Sequence, residues 1–386
     1  MLLAVQYSNN ESWCIRGNGV QACYCRPRPR PVMVNFTILA GGYTSFVASY
    51  LFNSDTNALS LLNTSPTGDN PSWIALHPTN KSILYAVNEN SPGSLQTFVI
   101  GDEGALDGPF DTIYSDGDAP AFATPLSGLK LGQVAVMDYN TGTGVIVPTT
   151  PDALHFGTGN QITFPAPVSH PHMALQHGLE EVFVPDLGAD KVWRLIQDGA
   201  PGDWNIQGQI DQPTGSGPRH AAIRGETLYV LHELASTLTQ QNIPLAPNGT
   251  TGPLIANFSI IPPDPPVGAD FAAGEILLTE ASPNFPAPYI YVSNRNTGVQ
   301  DPKGDAIVIF QVEPELKLLK YVYTGLDQIR GMQIGGPEDE FLIAGGVNGT
   351  AGVVMFKRAN GGRDLEFLVR NEELPTRTSF VWLPTD

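Results

Sequence analysis

Cysteine is nearly absent from this chain: of 386 residues only Cys14, Cys23 and Cys25 carry a thiol, and none lies beyond residue 25. Neither a disulfide framework nor a cysteine-based metal site can therefore support the bulk of the fold. Basic residues are scarce too, 20 Lys and Arg against 38 Asp and Glu, for a net charge of −18. Nucleic acid and anionic membrane surfaces are poor partners for such a surface, and an arginine at a strand end calls for a reason. A run of about 18 apolar residues, the minimum for a membrane-spanning helix, does not occur. Long helical patterns are missing as well, because 40 glycines and 34 prolines divide the chain into short segments.

What remains is ample apolar material, 41% of residues, enough for a large core. Composition shifts once along the chain. Residues 1–33 read as a disordered or atypical leader carrying the basic, proline-rich run Arg26 to Pro31, and residues 34–386 as one domain. The apolar start, Met1 to Val5, is shorter than the core of a secretory signal. Sequons point the other way. Asn10, Asn35, Asn63, Asn80, Asn248, Asn257 and Asn348 each head an N-x-S/T triplet, where chance gives about three. Secreted and cytoplasmic locations are both compatible with the sequence.

One unit recurs: an apolar strand, a small or polar break residue, a short turn and another strand. It appears at Phe36–Gly42, Ile83–Glu89, Val134–Tyr139, Val182–Asp186, Leu228–Glu233, Tyr289–Arg295 and Phe341–Gly345. The break residues Asn88, Asp138, Asp186, His232, Asn294 and Gly345 follow one another at intervals of 50, 48, 46, 62 and 51. The long interval contains Ile260 to Val267, proline-rich and expected to be a surface loop. Units of this size cannot bury a face alone but can when stacked radially. The expectation is an all-β fold, a seven-bladed β-propeller with four-stranded antiparallel blades. Its ring would close by pairing Asn35–Ala40 with Val353–Phe356 and Phe380–Leu383.

A second element precedes the units, as in Pro71-Ser-Trp, His170-Pro-His-Met, Gly217-Pro-Arg-His, Gly274-Glu-Ile and Ile329-Arg-Gly-Met. In a propeller such segments line the central channel, so His172, Arg219, Glu275 and Arg330 should meet on one rim. His170 and His172 form an H-x-H pair that suits a metal only with further ligands, and the nearby basic groups disfavour a cation. We expect no metal, a catalytic role for His172, and hydrogen-bonding or substrate contact for His170. Arg219 and Arg295 suit carboxylate or phosphate recognition, with His220 and Arg330 beside them as further substrate-binding candidates. Glu233, next to the break residue His232, is a candidate general base or a strand-end salt bridge. Asp186 and Asp190 read as turn residues. The stretch Asn140 to Gly144 is a hairpin turn without the helix a phosphate loop needs, and Ser127-Gly-Leu-Lys130 matches a nucleophile motif by chance.

Taken together, Pro71-Ser-Trp, Ala86-Val-Asn-Glu89, Val184-Pro-Asp-Leu-Gly-Ala-Asp190, Gly217-Pro-Arg-His220, His232-Glu-Leu234 and Tyr291-Val-Ser-Asn-Arg295 resemble the seven-bladed propeller lactonase family. That family includes propeller-type 6-phosphogluconolactonases and fungal 3-carboxy-cis,cis-muconate lactonizing enzymes. The resemblance spans about residues 35 to 384. It implies a catalytic histidine at His172, arginines at Arg219 and Arg295 and a glutamate at Glu233. It also implies a lactonase or a cycloisomerase that needs no cofactor and takes a small anionic or lactone substrate. Two departures stand out: His232 replaces the usual asparagine before Glu233, and Gly345 follows Ala344 where asparagine is usual. The first adds a titratable group beside Glu233; the second is expected only to relax a turn. The alternative is a non-catalytic secreted or cell-wall glycoprotein that uses the rim to bind a ligand or partner. A metal-dependent gluconolactonase-type enzyme is a third possibility, and the oligomeric state is not fixed by the sequence.

Overall fold

A computed structural model describes residues 12–17, 20–25, 34–128, 131–349 and 352–385. The Asn10 sequon, the Arg26–Pro31 run and Lys130 lie outside them. Two units separate at Val34. In the first, Ser12–Gly17 pairs antiparallel with Val20–Cys25, Cys14 lying opposite Cys23.

The second unit, Asn35 to Asp386, contains seven four-stranded antiparallel sheets. Blade 1 is Ser379–Trp382, Asn35–Gly41, Phe46–Asn53 and Ala58–Pro66, from the channel outwards. Blades 2 to 7 follow in chain order, their inner strands being Ile74–Leu76, Pro120–Leu126, Leu175–Gln176, Pro218–Arg224, Phe271–Leu278 and Asp327–Gly335. Among the described residues, the only helical turns are three short 3-10 turns. None is long and apolar enough to cross a membrane.

Burial explains why the sequence reads as it does. The second strand of each blade is covered on both faces, so Ile83–Asn88 and Tyr289–Asn296 are buried at every position. Outer strands are covered on one face only, and Leu106–Tyr114 is accordingly mostly exposed. Neighbouring blades share cores: Leu231 and Leu238 of blade 5 pack with Ile276, Ile290, Val292, Val308 and Phe310 of blade 6. Truncating a side chain such as Phe310 to alanine would cost about 3–5 kcal/mol.

The ring closes through blade 1, where Ile38 pairs with Trp382 and Gly41 with Ser379. Phe380–Leu383 thus supplies the closing strand as expected. Val353–Phe356 does not: it belongs to the third strand of blade 7, and only its side chains Val353 and Met355 reach the blade 1 core. The Ile260–Val267 segment connects blades 5 and 6, but Ile260 itself is wholly buried while Val267 is 99% exposed.

The break residues of blades 3 to 6 occupy one structural position, opposite the inner-strand residue that precedes its register shift: Pro120↔Asp138, Pro171↔Asp186, Pro218↔His232 and Ala273↔Asn294; in blade 7 that place is taken by Ile329↔Gly346, and Gly345 pairs one residue further in, with Gly331. They are buried and hold turns together. Asp186 accepts hydrogen bonds from Ser169 Oγ, Trp193 Nε1 and the amides of His170, Gly188 and Ala189. Asp190 likewise receives the amides of Gly215 and Gly217, both at positive φ. Gly345 does more than relax a turn. A Cβ there would lie 2.3 Å from the Arg377 carbonyl oxygen, so only glycine lets the closing segment approach.

Candidate active site

At the start of its inner strand each of blades 4 to 7 breaks register with its neighbour. Arg219 is the extra residue between the pairs Pro218↔His232 and His220↔Leu231, and Arg330 between Ile329↔Gly346 and Gly331↔Gly345. Gly274 and Glu275 fill the same interruption between Ala273↔Asn294 and Ile276↔Val292. In blade 4, Pro171 bridges Asp186 and Leu175 pairs with Phe183, placing His172 in a stretch with one residue too many. A bulge re-aims side chains that strict alternation would send to opposite faces. Arg219 and His220, adjacent in sequence, therefore both reach residues of neighbouring blades.

The residue after the break position supplies the second half of the site. Glu89, Tyr139, Glu233 and Arg295 all stand there, at the ends of second strands. Glu233 is pinned between two guanidinium groups: Arg219 Nη1 donates to Oε2, and Arg295 Nη2 lies 2.8 Å from Oε1. Their Nε groups donate to the carbonyls of Gly274 at 2.8 Å and Ala273 at 3.1 Å. Across the mouth, Arg330 pairs with Glu89 at 3.6 Å and lies over the Tyr43 ring, whose hydroxyl donates to Glu89 at 3.2 Å. Three guanidinium groups face two carboxylates, leaving a positive mouth on a strongly acidic protein. Burial alone would push the Glu233 carboxyl up, but Arg219 and Arg295 outweigh it and hold it at about 2.

Beneath the arginines lies a chain of buried imidazoles. His172, 2% exposed, has Nδ1 3.1 Å from His220 Nε2, and His220 Nδ1 is 2.8 Å from Glu275 Oε1. The His172 imidazole is held well below its ordinary pKa, first by burial and then by the charges of Arg219, His220, Arg330 and Arg295, so it is neutral at physiological pH. His170 stacks on Tyr139 at 4.7 Å and its Nδ1 meets the Tyr139 carbonyl at 2.7 Å; His172 stands edge-on to the same ring. The floor is aromatic: Trp73 and Phe122 stack at 3.9 Å and both stand edge-on to His220. Below that pair the channel widens into a largely apolar cavity of about 830 Å³, lined by Leu76, Leu175, Leu277, Ile334 and Leu383 among others.

The expected residues separate into two groups. Arg219, Glu233, Arg295 and Arg330 lie at the mouth, with His172 immediately behind them and His170 at its edge. His220, expected to contact substrate, is fully buried with both ring nitrogens engaged, and so stands behind His172. The extra titratable group at His232 does not join the site. It is buried in its blade, hydrogen-bonded to Thr239 Oγ1 at 2.9 Å, and burial lowers its pKa to about 4. Sequence reasoning left out Glu89, Tyr43, Tyr139, Trp73 and Phe122. The position after each break residue was the available signal for Glu89 and Tyr139, and the channel-lining segment Pro71-Ser-Trp was the signal for Trp73; Phe122 had none. Among the described residues no group of three or more His, Cys, Asp and Glu side chains is arranged to hold a metal ion.

Fold and site together define a propeller with a cationic, histidine-backed channel mouth. The model of the lactonase family with a 7-bladed β-propeller matches residues 37–382, and the chain belongs to that family. A probable 6-phosphogluconolactonase of Arthroderma benhamiae is 24% identical over 338 residues, covering 80% of this chain and 79% of that protein. Among solved structures, a putative 6-phosphogluconolactonase of Bacteroides fragilis aligns with a TM-score of 0.73 at 19% identity, over 92% of this chain and all of that one. The periplasmic gluconolactonase PpgL of Pseudomonas aeruginosa gives 0.74 at 19% identity, over 91% of this chain and 99% of its own. These structures share the fold.

Proposed function

We propose that the protein is a lactone-ring enzyme for small carboxylate- or phosphate-bearing substrates, acting at the arginine-lined mouth without a cofactor. The observation that carries this reading is the buried, neutral His172 set behind three guanidinium groups that share only Glu233 and Glu89 at the mouth itself, the further carboxylate Glu275 being turned to His220 beneath. A substrate anion would complete the charge balance at the mouth, and drawing it from water into a largely buried arginine cluster supplies orientation. His172 then takes a proton from water as the water attacks the lactone carbonyl, while Arg219 or Arg295 stabilises the developing oxyanion. Glu233 is a poor base with a pKa of about 2, and its work in this reading is to hold Arg219 and Arg295 apart and aimed. Arrival of an anion would offset the arginine contribution to the low His172 pKa, though not the larger contribution of burial, and so make it a somewhat stronger base when substrate is bound.

The 6-phosphogluconolactonase-type reaction, hydrolysis of a sugar-acid lactone, fits this arrangement, as does the cycloisomerase reaction run towards ring opening. The experiment is a panel of sugar lactones, their phosphates and muconolactones, followed by acid release with and without EDTA. Turnover of at least one anionic lactone, unchanged by EDTA, is expected. Failure of every lactone would remove the enzymatic reading, and loss with EDTA would replace the histidine mechanism by a metal-dependent one.

A further inference from the structure

The hydrogen-bond pattern beneath the mouth is directional. A carboxylate oxygen has no proton to give, so Glu275 Oε1, which also accepts the amide of Ile276 at 2.8 Å, accepts from His220, and His220 Nδ1 is the protonated nitrogen. Burial holds the pKa of His220 below the ordinary value despite the opposing pull of Glu275. Neutral His220 then carries its lone pair on Nε2, which must accept a hydrogen bond from His172 Nδ1–H. The lone pair of His172 is left on Nε2. Glu275 is itself held in place by Ser293, whose hydroxyl accepts the Glu275 amide and donates to the Ile329 carbonyl, tying the relay to blades 6 and 7.

We infer that His220 and Glu275 are positioning residues that lock His172 as the Nδ1–H tautomer and thereby make it a resting proton acceptor, suited to opening a lactone with water and unsuited to protonating a substrate double bond. The inference rests on the lactone reading above and narrows it to hydrolysis, as against carboxylate addition to a double bond. Opening balances simply. Water gives its proton to His172 Nε2 as its oxygen bonds to the carbonyl carbon. The ring C–O bond breaks, and the proton passes from Nε2 to the departing alkoxide. The imidazolium formed in between is stabilised through His220 by Glu275, the generalised form of a base oriented by a third group. Ring closure onto a double bond would instead begin with a proton on Nε2, which this relay does not supply. The charged and titratable groups around the pair are Glu275, Arg219, Arg295, Arg330, Glu233, His170 and Tyr139; after burial itself, the three arginines and His220 hold the His172 pKa down.

The test is long-range ¹H–¹⁵N correlation of the imidazoles in the substrate-free protein, with His172→Asn to assign the resonance. Nδ1–H is expected for His172 across neutral pH, kept in Glu275→Gln, whose amide oxygen still accepts from His220, and shifting to mixed tautomers in Glu275→Met and in His220→Phe, which serves if the first of these folds poorly. Where a lactone is turned over, the rate should rise with pH along an acid limb. Glu275→Gln should move that limb to lower pH and reduce kcat about a hundredfold with KM little changed. Nε2–H in the unaltered protein, a tautomer insensitive to both Glu275→Met and His220→Phe, or a rate that falls with rising pH would each overturn the inference. Because the tautomer is read without substrate, an inactive lactone panel would remove the functional reading while leaving the relay assignment intact.

Discussion

The two mouths of the channel are built from the same inner strands and differ in almost every chemical respect. Where those strands begin, bulges turn Arg219, Glu275 and Arg330 out of alternation and gather charge against buried imidazoles. Where they end, alternation is intact, and Leu76, Leu175, Leu277 and Ile334 line an open apolar funnel. The Trp73–Phe122 stack lies between the two, with Glu275 reaching the funnel from the polar side. A regular strand can make a wall, but it takes an interrupted one to bring neighbouring polar residues to a single point. The sharpest way to break the comparison is His172→Asn, which keeps a polar side chain at the bulge but cannot accept a proton from water. Lactone turnover should fall about a thousandfold with the fold unchanged by circular dichroism. Activity within a few-fold of the unaltered protein would place the chemistry elsewhere.

A smaller effect should follow from the arginines. Arg295→Met keeps the packing of the stem but leaves Glu233 with one partner and removes one charge from the mouth. Loss of a charged hydrogen bond worth about 1.5–3 kcal/mol corresponds to a ten- to hundredfold drop in kcat/KM for anionic lactones. Neutral lactones should lose far less. Equal losses for both kinds would assign Arg295 to the oxyanion alone.

How much of this could be read from the residues follows from the same contrast. The seven-blade count was legible because Asn88, Asp138, Asp186, His232 and Asn294 sit at one structural position, with Gly345 one residue from it, and so recur once per blade in sequence. Arg219, Glu233 and Arg295 were legible because charge at a strand end in an acidic chain is conspicuous. The placement of His220 was not, because alternation assigns it a face and only the bulge at Arg219 reassigns it. Glu89 and Tyr43 were missed since their partner Arg330 comes more than 200 residues later, across the ring closure.

The break residues themselves allow a third test at the polar mouth. Asp138 is wholly buried, Oδ1 has no partner, and burial raises its pKa to about 7. A carboxyl with a raised folded pKa binds more protons folded than unfolded, so stability falls as pH rises from about 4 to about 7 and is flat above. Blades 2 and 6 use asparagine at this position. Asp138→Asn should therefore stabilise the protein at pH 8 by on the order of 2 kcal/mol and by little at pH 4, read from denaturant unfolding. Equal effects at both pH values would mean that packing, not ionisation, decides the residue.

The smallest effect is expected at the other mouth, and it bears on what the aromatic floor does. Leu277 lines the apolar funnel and is only partly buried, so Leu277→Ala should cost about 1–2 kcal/mol of stability through lost contact with the blade 6–7 core. If the Trp73–Phe122 stack closes the channel, the substrate never meets Leu277, and kcat/KM should stay within about twofold, the ordinary scatter for a change remote from the chemistry. A tenfold rise in KM for bulky lactones, with kcat unchanged, would show that substrate threads the floor and that the funnel belongs to the binding site. In that case the contrast between the mouths would be one of function shared along a single channel, and the volume beneath the floor, not the arginine cluster alone, would set substrate size.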